Sequence, residues 1–404
     1  MKRVVTAVAL ATAIVVSLDA AAPALPPPAP QAYSAELASA FDLAYNLDFT
    51  EALATARSVI AKHPDEPAAY RAVATVTWLQ ILFARGGTYI DHYLGKVTKM
   101  QVTMPKPPVD LDAEFNRMVD KAIALGDASV RRHPKDAQAQ FDLGSAWALR
   151  AGYAGSVQGS VTGAFAAARK AYNAQEYALK YAPTKIEPNL VVGMYRYAVS
   201  TLGMPSRMFA YMAGFGGGKE RGIQMVERAS TGGTEQADAL FALAVIYSRD
   251  GRHADAVAKL QELERRFPRN RILVLEVGAA LIRAGHPDTA DAVFTAGMAR
   301  FNKDPRQHAL GEHAYWYYKR GLARLNWNHR TDAATDFEEA LAADPVGWVR
   351  GRIHVARGQL MDLAGKRAEA LADYRLGADH CGKHNDPYCV ADAVQFSRKP
   401  FALQ

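Results

Sequence analysis

Residues 237–270 read ADALFALAVIYSRDGRHADAVAKLQELERRFPRN. Small and apolar residues return at helical steps through Leu240, Leu243-Ala244, Tyr247, Ala256 and Leu260, and Pro268 ends the pattern. This spacing predicts two antiparallel helices that approach closely where Ala244 and Ala256 sit at their crossing, with Tyr247 and Leu260 filling the adjacent layer. The proline stops the second helix and turns the chain into the next hairpin.

The same register returns three times downstream. It appears as Gly278, Ala290 and Phe294, as Gly321, Ala333, Phe337, Ala340 and Pro345, and as Gly358, Ala370 and Tyr374. An N-terminal copy reads Ala40, Ala52 and Pro64, with the turn at Asn46-Leu47-Asp48 and a second helix beginning at Phe49-Thr50-Glu51. On these residues the chain is identified as a member of the tetratricopeptide-repeat superfamily, with Leu240 at the consensus Trp position and Leu260 at the Phe position. The resemblance implies an all-α fold, a right-handed superhelix of antiparallel helix hairpins with a concave groove.

Outward from the array, the chain divides into five parts. Residues 1–24 have the pattern of a signal peptide: Met1-Lys2-Arg3, an apolar run from Val4 to Leu18, and Ala22-Pro23-Ala24 as cleavage site. Residues 25–33 form a Pro-rich linker, with four prolines between Leu25 and Pro30. Residues 34–234 read as a degenerate repeat region with insertions, 235–380 as the array, and 381–404 as a C-terminal capping segment. Extra sequence in the middle is assigned to Gly86–Leu111 and to the Gly-rich piece Gly152–Gly163, and is read as a tolerated insertion or, alternatively, as a surface cover on one end of the groove. The expected location is outside the cytoplasm, in a periplasm of the Gram-negative kind or secreted, with docking on an envelope complex as one outcome of export.

A second resemblance lies in the centre. Gly193-Met194-Tyr195-Arg196-Tyr197, Gly203-Met204-Pro205 and the run Gly214, Phe215, Gly217, Arg221, Gly222 resemble a segment of the eukaryotic tetratricopeptide repeat protein 39 family, which includes the yeast protein implicated in inclusion-body clearance. It implies a helical scaffold with an irregular centre.

Catalytic and metal chemistry find no motif. Gly214–Lys219 has the wrong spacing for a phosphate loop and lacks the following Ser or Thr, so a helix-to-helix turn is expected. His308 and His313 are five apart and fall on different helical faces, whereas His63 and His133 stand before repeat-ending prolines, where an imidazole suits a helix C-terminus. Cys381 and Cys389 are expected to form a disulfide in an oxidising compartment, pinning the last helix; a metal site of His380, Cys381, His384 and Cys389 fits no common zinc spacing. No metal and no cofactor are expected. The formal charge of +7 is spread among acids, as in Lys259, Glu262, Glu264, Arg265 and Arg266, which argues against a nucleic-acid partner.

What remains is a binding surface. Counting along the first helices places Phe241, Arg249, Tyr315, Tyr318, Arg352 and Gln359 on the concave side, and Tyr and Arg are residue types that dominate interface energies. The expected function is a non-catalytic scaffold for a protein or peptide partner, the alternative being a small-ligand or lipid-binding protein of the cell envelope with its ligand under the 86–111 insertion.

Overall fold

The computed structural model describes residues 34–94, 102–204, 207–208 and 218–403, and these contain helices and no strand. The expected signal peptide and Pro-rich linker, and Pro205, Gly214, Phe215 and Gly217 of the central motif, lie outside the described residues.

The chain begins with a hairpin of α1 (Ser34–Tyr45) and α2 (Phe49–Lys62), then α3 (Pro67–Ala84). Four longer or less regular helices follow: α4 (Val109–Arg132), α5 (Ala137–Ser156), α6 (Val161–Tyr181) and α7 (Pro188–Ser200). After α8 (Lys219–Ala229) the hairpins become uniform. They pair α9 (Gln236–Arg249) with α10 (His253–Arg266), and α11 (Arg271–Arg283) with α12 (Pro287–Phe301). Next come α13 (Glu312–Asn326) with α14 (Arg330–Ala342), α15 (Gly347–Leu363) with α16 (Arg367–Lys383), and a final α17 (Pro387–Arg398). Each helix packs chiefly on its neighbours in sequence, which makes the molecule an all-α repeat superhelix.

The small residues do what the spacing requires. A Cβ added to Gly278 would lie 2.5 Å from the ring of Phe294, one on Gly321 2.6 Å from Phe337, and one on Gly358 2.5 Å from Tyr374. A larger side chain at these crossings would push the paired helices apart, because interiors are close-packed. The hairpin turns use left-handed residues at a matching place, Gly251 with φ +74° and Asn328 with φ +62° among them.

The Gly-rich piece Gly152–Gly163 is not the inserted loop that its composition suggests. Gly152 stays helical inside α5, and only four residues separate α5 from α6. Its missing side chain is occupied: a Cβ there would stand 2.9 Å from the ring of Trp78, whose Nε1 donates to Ser156 at 3.0 Å. The extra length of the middle region goes into long helices here, and into the α3–α4 connection.

The N-terminal hairpin does not simply start the stack; it folds back onto the array. The Tyr45 hydroxyl donates to Asp238, the backbone N–H of Arg269 donates to Asn46 at 3.0 Å, and Arg306 reaches Asp48 at 3.0 Å and the Asn46 carbonyl at 2.6 Å. One continuous apolar core accordingly runs from Leu37 and Ala52 to Phe294, Phe337 and Ile353.

Candidate functional site

The sequence reading places the inner face on the first helices of successive hairpins, α9, α11, α13 and α15. On α13, Tyr315, Tyr318 and Lys319 lie three and four residues apart and share a face; on α15, Trp348 and Arg352 do the same. These are the positions at which the sequence places a groove. The structure finds a segment of the chain itself lying there.

That segment leaves α3 at Arg85 and makes a single 3-10 turn at Ile90–His92. The ring of Tyr89 stacks on Tyr315 at 3.9 Å between centroids, and His92 meets Trp348 edge-on at 4.7 Å. Between them Asp91 accepts from Lys319 Nζ at 2.5 Å, from Arg283 Nη1 and the Tyr315 hydroxyl at 3.1 Å, and from Arg352 Nη1 at 3.4 Å. Arg249 Nη1 donates to the Tyr93 carbonyl at 3.3 Å. Farther along, the N–H of Thr103 donates to the carbonyl of His384 at 2.8 Å, and Arg85 Nε closes the loop on the Pro105 carbonyl at 2.5 Å. The described part of the 86–111 stretch therefore does not stand off as a surface loop: residues 86–94 lie as a single 3-10 turn against four first helices, and Thr103 joins the C-terminal turn.

Electrostatics explain why Asp91 sits there. Burial pushes its carboxyl up, yet the charges of Lys319, Arg283 and Arg352 together with the Lys319 hydrogen bond hold it well below the usual carboxylate range. Burial, then the Arg352 charge, lowers His92 to about 4, so its imidazole is neutral at neutral pH. Glu276 on α11 is the counter-example. Burial and the nearby Asp91 charge raise it to about 7 against the pull of Arg283 and Lys319, and the N–H of Ile90 faces it without meeting hydrogen-bond geometry.

A folded-state value raised above the unfolded 4.5 means that the native form holds the Glu276 proton longer. Its contribution is fully present below pH 4.5 and is lost as pH rises through about 7. Glu276→Gln, which keeps the shape without the charge, should therefore stabilise the protein by up to about 3 kcal/mol at pH 8 and change little at pH 4.5. Urea midpoints at the two pH values check this, and an equal effect at both would refute it.

Of the groove residues read from the sequence, the structure brings Arg249, Tyr315 and Arg352 onto the segment. Tyr315 is 1% exposed. Tyr318 is buried beside Tyr315 at 6.0 Å between rings, Phe241 packs half-buried on the core, and Gln359 is half-buried on α15. Sequence reading missed Asp91, Arg283, Lys319 and Glu276. A signal existed, one basic residue per repeat on the first helices, but Arg283 follows its crossing glycine by five positions while Lys319 precedes its own by two and Arg352 by six. No single repeat position collects them.

The central glycines hold two helices together. Gly193 on α7 and Gly222 on α8 face each other so closely that a Cβ on either would meet the other's carbonyl, at 2.6 and 2.8 Å. Tyr195 is buried, Arg221 is exposed, and Lys219 at the start of α8 pairs with Asp250 at 2.9 Å. Gly218 precedes α8 with φ +148°, and the rest of the turn expected at Gly214–Lys219 lies outside the described residues.

At the C-terminal end, Cys381 in the last turn of α16 and Cys389 in the first turn of α17 have Cα atoms 6.0 Å apart and adjoining sulfurs. Asp386 lies within 4.8 Å of both. Its carboxylate is already engaged by Arg352 Nε at 2.6 Å and the Cys389 N–H at 3.2 Å, while His380 stacks on His354 at 5.7 Å. Two cavities, of about 630 and 340 Å³, lie between the N-terminal hairpin and the array turns, lined by residues such as Asp48, Arg269 and Arg306 that pair with one another.

Compared with known proteins, residues 238–270 match the tetratricopeptide repeat family. No curated protein matches the chain significantly. Among solved structures it is similar to a tetratricopeptide repeat protein from Parabacteroides merdae, 15% identical over 78% of this chain and 94% of that one, with a TM-score of 0.31. It is also similar to the C-terminal part of a TPR repeat-containing protein from Cytophaga hutchinsonii, 13% identical over 69% and 95% with a TM-score of 0.41. A third is a human IFIT1 dimer with PPP-AAAA, 13% identical over 90% and 81% with a TM-score of 0.45. At these identities the similarity concerns the fold.

Proposed function

We propose that this chain, whose helix hairpins are tetratricopeptide repeats, is a non-catalytic scaffold that binds an extended protein or peptide segment on its inner face. The observation that carries the reading is the lodging of Tyr89–Tyr93 across α9, α11, α13 and α15, because it is a continuous stretch of peptide, with one 3-10 turn, held by side chains of four successive repeats. A repeat array offers a long surface of this kind without a deep pocket. The partner is a protein and not a nucleic acid, since the basic residues are interspersed with acids, as in Lys259, Glu262, Glu264, Arg265 and Arg266, and form no run of one sign. The central motif's resemblance to the tetratricopeptide repeat protein 39 family, read from the sequence alone, implies a scaffold and no activity.

The scaffold works after export, on the strength of the Met1–Ala24 pattern, in a periplasm or outside the cell, and the adjoining Cys381 and Cys389 suit that compartment as a disulfide. Replacing both cysteines by alanine should then cost about 2 kcal/mol by chain entropy. The intact mass of the purified exported protein should rise by two hydrogens on reduction, and a mass already equal to the dithiol form would remove the disulfide.

The binding reading is tested by photo-crosslinking in the native cell. A crosslinker at Gln359 should capture a defined protein that one at Val161, exposed on α6, does not. The same captures from both positions, or none from Gln359, would end it.

A further inference from the structure

Resting on that scaffold reading, we propose that residues 86–94 are a built-in occupant of the groove, and that the partner which displaces them is a protein segment of like chemistry, an aromatic residue followed two places later by a carboxylate.

The cage around Asp91 sets the first requirement. Arg283, Lys319 and Arg352 converge there from three helices, and the Asp91, Lys319 and Arg352 side chains are each less than a fifth exposed. Without the Asp91 carboxylate, Arg283, Lys319 and Arg352 would keep only Glu276 and, on Arg352, Asp386 as counter-charges, so a displacing ligand that brings an anion is favoured over one that does not. The second requirement is the aromatic slot on Tyr315, which Tyr89 fills by stacking, with the wall of Trp348 beyond it for His92.

The segment fits this site incompletely, which is why it yields. Arg283 uses one nitrogen on Asp91 while its Nε and Nη2 lie buried with no hydrogen-bond partner among the described residues. Neither oxygen of Glu276 has a partner by the same measure, and the Tyr89 hydroxyl is buried without one. A ligand whose carboxylate takes Arg283 side-on, and whose backbone or side chain donates to Glu276, recovers hydrogen bonds that the built-in segment forgoes. The built-in segment prevails in isolation because its tether supplies a high effective concentration without optimal contacts. Its entry turn requires glycine: Gly86 has φ +67°, and a Cβ there would stand 2.8 Å from the Leu310 carbonyl, so the chain turns into the groove at a glycine-dependent pivot.

The test uses the full mature chain and a fluorescent synthetic nonapeptide with the sequence of residues 86–94, GGTYIDHYL. Binding is read by anisotropy to the wild type and to the Tyr89→Ala/Asp91→Asn variant, with circular dichroism and the thermal midpoint confirming that the variant is folded. The variant should bind the peptide at least about tenfold more tightly than the wild type, and a peptide with Asn at the Asp91 position should lose at least about tenfold in affinity. A folded variant that ignores the peptide, or equal affinity of both proteins, overturns the proposal. Should the double variant not fold, Gly86→Ala, which strains the pivot and leaves the cage intact, takes its place in the same assay. Failure of both to fold makes the segment a permanent part of the core and also overturns it. Specific capture from Gln359 alongside a negative peptide result would leave the scaffold standing and remove only the occupant.

Discussion

Arg271→Leu is expected to cost about 3–5 kcal/mol, the range found when one partner of a buried ion pair is removed. Arg271 opens α11 and is buried with its guanidinium against Glu312, whose side chain is 0% exposed, through Nε at 2.6 Å and Nη2 at 3.0 Å. The same group donates to the Gln307 carbonyl at 2.7 Å and to Asp304 at 3.0 Å, with the rings of Phe83 and Phe301 within 5.4 and 5.7 Å. It thus joins the turn between α12 and α13 to α11 and to the returning α3. Leucine would leave Glu312 with the Ala309 N–H at 2.7 Å as its remaining donor. Urea unfolding measures the loss. Arg271→Leu/Glu312→Leu should recover a good part of it, since the double change leaves no lone buried charge. A single-variant cost below about 1 kcal/mol would show that the pair is not a structural centre of the array.

Gly222→Ala should destabilise by about 3 kcal/mol, the upper part of the range for overpacking. The added carbon would lie 2.8 Å from the Gly193 carbonyl and 2.9 Å from the Tyr197 N–H, both backbone atoms of α7 that cannot rotate aside. Relief requires α7 and α8 to separate, and that disturbs the core of Tyr197, Ile223, Val226 and Leu243 through which α8 rests on α9. Gly193→Ala attacks the same crossing from the other side, at 2.6 Å from the Gly222 carbonyl. The double variant should cost clearly less than the sum, because the first alanine already opens the gap. Thermal midpoints of the three variants decide it; additive losses would mean that the two glycines act at separate contacts.

These two sites differ in how far a reader of the sequence could have seen them. Gly193 and Gly222 stand out as residues of an unusual motif, but their mutual contact does not, because nothing periodic links positions on either side of an irregular connection. Arg271 and Glu312 look like ordinary helix-start residues.

The helices and their pairing in the array follow from local sequence. Gly321 faces Phe337 and Gly358 faces Tyr374 as the spacing demands, since helix period and a small residue at each crossing are local properties that recur with every repeat. Arg249, Tyr315 and Arg352, singled out from the sequence as groove residues, meet Tyr93 and Asp91. Only the tertiary structure decided what that face touches. Asp91 meets Arg283 across 192 positions and Arg352 across 261, and Tyr45 meets Asp238 across 193. Such contacts arise where burial makes a charge seek its opposite, whichever part of the chain supplies it, and that search leaves no period for the eye to follow.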